Sequence, residues 1–114
     1  MGWATNYIKQ LENGETIKFR PRGNSMTGKI DSGQLCTVEP IVDSTVIKKG
    51  DIVLCNVQGN QYLHLVKSIK GSQYKISNNK GYINGTITRK NIFGLCTNVE
   101  KYKKLWFFRA FFIT

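Results

Sequence analysis

The stretch Asp51-Ile52-Val53-Leu54-Cys55-Asn56-Val57-Gln58-Gly59-Asn60-Gln61-Tyr62-Leu63-His64-Leu65-Val66 decides how this chain is read. Its opening, Asp51 to Val57, is mostly apolar and follows the turn Lys49-Gly50-Asp51, which marks a buried strand. Gln58-Gly59-Asn60 is a hairpin signal, because glycine supplies the positive φ that a tight reversal needs. Residues 61–69 then read as the returning strand, and its run Tyr62-Leu63-His64-Leu65-Val66 holds the only histidine.

The same grammar extends in both directions. Thr16-Ile17-Lys18-Phe19-Arg20 alternates, and Leu35-Cys36-Thr37-Val38-Glu39 does so less cleanly before Pro40. Lys70-Gly71-Ser72 turns into Gln73-Tyr74-Lys75-Ile76, and Thr86-Ile87 and residues 91–99 complete the set. Asn78-Asn79-Lys80-Gly81 and Asn84-Gly85 read as turns. Residues 3–12 differ: Trp3, Ala4, Tyr7, Ile8 and Leu11 recur at helical spacing, and Asn13-Gly14 supplies a stop. Six to eight short strands behind one helix predict a mainly β (β-rich α+β) fold, a compact, folded, barrel-like sheet with a short N-terminal helix. Residues 1–114 read as a single domain, with the helix at 3–12, the β domain at 16–99 and a basic-aromatic tail at 101–114.

The 114 residues carry 17 Lys and Arg against 7 Asp and Glu, a net charge of +10. That favours anionic partners such as nucleic acid, acidic protein or lipid headgroups, and equally describes a soluble basic surface. Cys36, Cys55 and Cys96 are odd in number, widely spaced and set beside leucines, so they read as buried reduced thiols in a cytoplasmic protein. No CxxC spacing exists and only one histidine is present, so neither a metal site nor a cofactor is expected. The first residues lack the pattern of a signal peptide. No apolar run reaches the roughly 20 residues of a spanning helix, and the aromatic stretch at 105–113 is broken by Arg109.

Chemistry is concentrated at Gly23-Asn24-Ser25-Met26 and at His64, 39 positions onward (64 − 25). A serine hydroxyl is a weak nucleophile until a base takes its proton, and neutral imidazole suits that task near pH 7. A glycine-flanked turn can present the hydroxyl while a strand holds the ring. The competing readings are a turn serine bonded to its own backbone and a strand histidine that is merely satisfied. Lys67 is the rival base; strict strand alternation puts it on the face opposite His64.

Three boxes in order carry a resemblance: Arg22-Gly23-Asn24-Ser25-Met26, Ile30-Asp31-Ser32-Gly33-Gln34-Leu35 and Lys48-Lys49-Gly50-Asp51-Ile52-Val53-Leu54. Together they resemble the LexA and signal-peptidase clan of serine peptidases over roughly residues 19–94. The resemblance implies a LexA C-terminal-domain-like fold and Ser25 as nucleophile, with Asn24 along the substrate groove and Met26 either packed under the turn or along the same groove. The base follows on the next strand, where Leu63-His64-Leu65-Val66 is similar to the histidine type of signal peptidase, with Leu65 in place of its arginine. The acid expected further on is an asparagine here, at Asn78 or Asn84. Either amide can orient the imidazole without stabilising its cation as a carboxylate would. Asp51 is a turn residue in this reading; Asp31 reads either as structural or as facing the groove.

The resemblance implies cleavage of an extended peptide or protein substrate, by a stand-alone domain of the kind found in phages and mobile elements, hence in a host cytoplasm. The alternative is a catalytically silent scaffold whose basic surface or aromatic tail binds nucleic acid or a host protein. The tail could also join copies of the chain into a homo-oligomer.

Overall fold

The computed structural model describes residues 2–101. The tail read at 101–114, and the oligomer contact expected of it, lie outside the described residues except for Lys101. Helix α1 spans Thr5–Glu12, shorter at its start than the periodicity suggests. Ala4 at its N-cap offers no side-chain cap, and the helix start is held by a distant residue instead. Gln61 Oε1 accepts the Ala4 amide at 2.7 Å, and its Nε2 donates to Thr5 Oγ1 at 3.1 Å. Gly14, at φ +84°, closes the helix by donating to the Leu11 carbonyl.

Seven strands follow: β1 (Ile17–Phe19), β2 (Cys36–Pro40), β3 (Ile52–Val57), β4 (Asn60–Lys70), β5 (Gln73–Ser77), β6 (Ile83–Ile87) and β7 (Ile92–Val99). They form one antiparallel sheet in the order β1-β2-β7-β3-β4-β5-β6. The last strand inserts between β2 and β3, so β7 lies in the sheet's interior while β1 stands at one edge. The described residues are therefore mainly β with one short α-helix, as the turn-punctuated runs suggest. One reading is corrected: Asn84-Gly85 is not a turn between strands but lies inside β6.

Both faces of the sheet are covered. Leu54 and Leu63 pack with Leu11 of α1 and with Phe19, Met26, Cys36 and Val38. Val53, Cys55, Val57, Val66, Ile76 and Ile92 form the core on the other side. That two-sided burial explains why β3 reads as a nearly continuous apolar run rather than an alternating one. Gly94 lets helix and sheet approach closely, since a Cβ there would stand 2.5 Å from Val38 Cγ1 and 2.9 Å from Leu11 Cδ1.

The three cysteines are free thiols, Cys36 and Cys55 buried and Cys96 half-buried. Burial pushes the Cys55 thiol up to about 12. Contact with the Cys96 thiol, reinforced by burial, holds Cys36 far above the ordinary thiol range. Among the described residues, no helix is long and apolar enough to cross a membrane.

Candidate active site

Ser25 stands on a turn held by both backbone and side-chain bonds. Gly23 and Gly28 flank it at φ +109° and +100°, a region that a side chain would strain. The Asn24 carbonyl accepts both the amide and the hydroxyl of Thr27, at 3.2 and 2.8 Å. Met26 and Ile30 are buried and pin the turn to the core beside α1. Asn79 reaches across from the loop after β5: its amide donates to the Ser25 carbonyl at 2.9 Å and its Nδ2 to the Thr27 carbonyl at 2.8 Å. The exposed serine is thus held from below and from behind.

His64 is presented by the middle of β4, where it pairs with Val53 of β3. Only 7% of its surface is exposed. Its Nε2 lies 3.1 Å from Ser25 Oγ and its Nδ1 lies 2.7 Å from Asn84 Oδ1. Because the amide oxygen can only accept, the Nδ1 proton faces Asn84 and the Nε2 lone pair faces the serine hydroxyl. The Tyr62 ring stacks on the imidazole with centroids 4.7 Å apart and planes inclined by 26°. Burial lowers the pKa of His64 below its ordinary value of 6.5, and the bond to Asn84 works in the opposite direction. Burial thus favours the neutral ring, which Asn84 orients with Nε2 toward the serine.

A register irregularity aims the asparagine. Ile76 pairs with Gly85, yet Ser77 pairs with Ile83, so Asn84 is an extra residue in β6. A bulge of this kind bends its strand and redirects one side chain. Gly85 adopts φ +154° beside it, and a Cβ there would meet Val57 Cγ1 at 2.7 Å. The β4–β5 ladder is irregular in the same way at Lys67, between the pairs Val66–Ile76 and Ser68–Lys75. Strict alternation therefore does not hold at Lys67, which is exposed to solvent, while His64 meets the serine.

Of the two asparagines considered, the structure brings Asn84 and not Asn78 to the ring. Asn78 Oδ1 accepts the Lys80 and Tyr82 amides at 2.8 and 2.9 Å, which fixes its own turn. Met26 lines the cleft beside the dyad, whereas Asn24 is exposed and is not part of the cleft wall. Asp31 also lines it, its Oδ1 accepting the Gly28 amide at 3.3 Å. Asp51 accepts the Lys48 amide at 2.7 Å, the turn role expected of it. Sequence reasoning missed Asn79 and Tyr62: nothing local marks a residue whose partner is forty or more positions away, and the Tyr62–His64 stack shows only through the i, i+2 spacing of a strand.

The cleft holds about 570 Å³ and runs from Ser25 and His64 toward Trp3, Tyr7 and Phe19. A family model described as Peptidase S24-like matches residues 4–97, which covers α1, the serine turn and nearly all of the sheet. The chain belongs to the Peptidase S24-like family. No curated protein matches it. Membership makes this a serine peptidase-like scaffold of the LexA and signal-peptidase clan, in agreement with the three boxes read from the sequence. Among the described residues, no three His, Cys, Asp or Glu side chains gather as a metal-binding group.

Proposed function

We propose that the chain is a serine endopeptidase that cleaves an extended peptide through an acyl-enzyme, with Ser25 as nucleophile, His64 as general base and Asn84 as its orienter. The observation that carries this reading is the relay from Ser25 Oγ to His64 Nε2 at 3.1 Å and from His64 Nδ1 to Asn84 Oδ1 at 2.7 Å. Ser25 Oγ attacks the scissile carbonyl carbon as its proton passes to Nε2. The imidazolium then gives that proton to the leaving amine, the C–N bond breaks, and an ester to Ser25 remains. Water, deprotonated by the same nitrogen, hydrolyses the ester and restores the serine. The Ser25 backbone amide, adjoining the attacking oxygen, is the candidate donor to the oxyanion.

Without a carboxylate behind the ring, the imidazolium gains no ionic partner, so turnover is expected to be slow. A fluorophosphonate probe tests the reading directly. Wild-type chain should be labelled on Ser25, with Ser25→Ala unlabelled and His64→Ala labelled at least about a hundredfold more slowly. Equal labelling of wild type and His64→Ala would remove the dyad. Absence of labelling would leave the silent scaffold, which binds through its basic surface, as the better reading.

A further inference from the structure

The wall of the cleft beyond the dyad is aromatic, and it is built as a fixed surface. Tyr7 and Phe19 stack at 4.5 Å, and Trp3 closes on both, at 5.8 Å from Phe19 and 6.3 Å from Tyr7. Trp3 is nevertheless 52% exposed, an unusual condition for the largest apolar side chain. Its position is set from its polar end: the indole Nε1–H donates to the Gln61 carbonyl at 3.1 Å. Gln61 also clamps Ala4 and Thr5, and Tyr62 follows it in the chain. The tryptophan is therefore tied to the strand that carries the base, with an open aromatic surface bordering the cleft.

The opposite character appears where the chain runs from β1 to the serine turn. Arg20 and Arg22 line the same cleft and are exposed. Arg20 donates from Nη1 to the Gly33 carbonyl at 2.9 Å, an acceptor that carries no formal charge. Asp31 also contributes to the lining, its Oδ1 accepting the Gly28 amide, so the cleft carries two cationic side chains against one carboxylate. An anionic group entering the cleft thus meets two guanidinium groups on a chain of net charge +10.

From these two features, and resting on the peptidase reading above, we infer that the cleft selects peptides carrying an aromatic side chain next to an acidic one. The aromatic side chain covers the open surface of Trp3, where ring-on-ring contact adds to simple burial. The neighbouring carboxylate bonds Arg20 or Arg22. A cleft of about 570 Å³ is within the usual range for small-ligand sites and is larger than alanine-sized side chains need. The chain's own residues 102–114 are aromatic but carry Lys103, Lys104 and Arg109, so charge sets them against this rim and favours an acidic partner.

The test uses the full chain as Ser25→Ala, so binding is read without cleavage. Labelled ten-residue peptides with a Phe-Glu pair, with Ala-Glu and with Phe-Lys at the same place are titrated by fluorescence anisotropy. The Phe-Glu peptide should bind about tenfold or more tighter than either of the others. Adding Trp3→Ala should abolish the advantage over Ala-Glu, and Trp3→Phe should keep most of it, which separates a lost ring from a damaged fold. Adding Arg22→Gln, an exposed position, should shrink the advantage over Phe-Lys alone. Equal binding of the three peptides overturns the inference, as does tighter binding of a peptide with the sequence of residues 102–114. Wild-type chain then sorts the two readings. Tight binding of Phe-Glu without cleavage sinks the peptidase and leaves this selectivity, while equally fast cleavage of Ala-Glu does the reverse.

Discussion

In the proposed mechanism Asn84 takes the place behind His64 where an acid would stabilise the imidazolium, and its uncharged oxygen supports orientation only. The neutral ring is required as base, and burial draws its pKa below 6.5. The acid limb of the wild-type kcat/KM profile should therefore fall below pH 6.5, with activity retained at mildly acidic pH. Asn84→Asp places a carboxylate 2.7 Å from Nδ1 if the geometry is kept. A negative charge there favours the imidazolium in both the free enzyme and the transition state. The variant should raise kcat by about tenfold or more and move the acid limb to higher pH. Both quantities come from one set of pH–rate profiles. A variant no faster than wild type, with its limb unmoved, would dismiss Asn84 from the relay.

The elements carry the site through close packing and through two interrupted ladders. Gly94 of β7 sits where α1 crosses the sheet, and a methyl group there would overlap Val38 and crowd Leu11. Gly94→Ala should cost about 1–3 kcal/mol by overpacking. Urea unfolding measures it, and a loss below about 0.5 kcal/mol would mean that helix and sheet separate easily at that point. The strands themselves were legible because Gly50, Gly59 and Gly71 punctuate the chain locally, at positive φ in each case. Their order was not, since nothing near residues 92–99 announces insertion between β2 and β3. Ser25 and His64 could be paired from residue chemistry and the ordered boxes. The choice of Asn84 over Asn78 could not, because each asparagine sits in a polar, glycine-containing stretch and reads equally as a turn. Only the pairing against β5 exposes Asn84 as the extra residue, and only the Lys80 and Tyr82 amides show where Asn78 is engaged. That Asn24 lies outside the cleft lining is equally illegible, since adjacency to Ser25 in sequence does not say which way a turn faces.

At the scale of the whole molecule, charge acts on stability and on recognition with opposite signs. Seventeen cationic side chains face seven acidic ones on 114 residues, so the folded chain repels itself. Raising ionic strength from about 0.01 M to 0.1 M shortens the screening length from about 30 Å to about 10 Å. Repulsion spread over the molecule is then weakened, and the folded state should gain on the order of 1 kcal/mol, a rise of roughly 4–8 °C in Tm. The attraction between an acidic peptide and the Arg20–Arg22 rim is screened by the same ions, so its association should slow as salt rises. Thermal melts and stopped-flow binding across one salt series read both effects on the same protein. If Tm falls with salt instead, attractive ion pairs outweigh the net charge, and the +10 surface is compensated locally rather than left open to a partner.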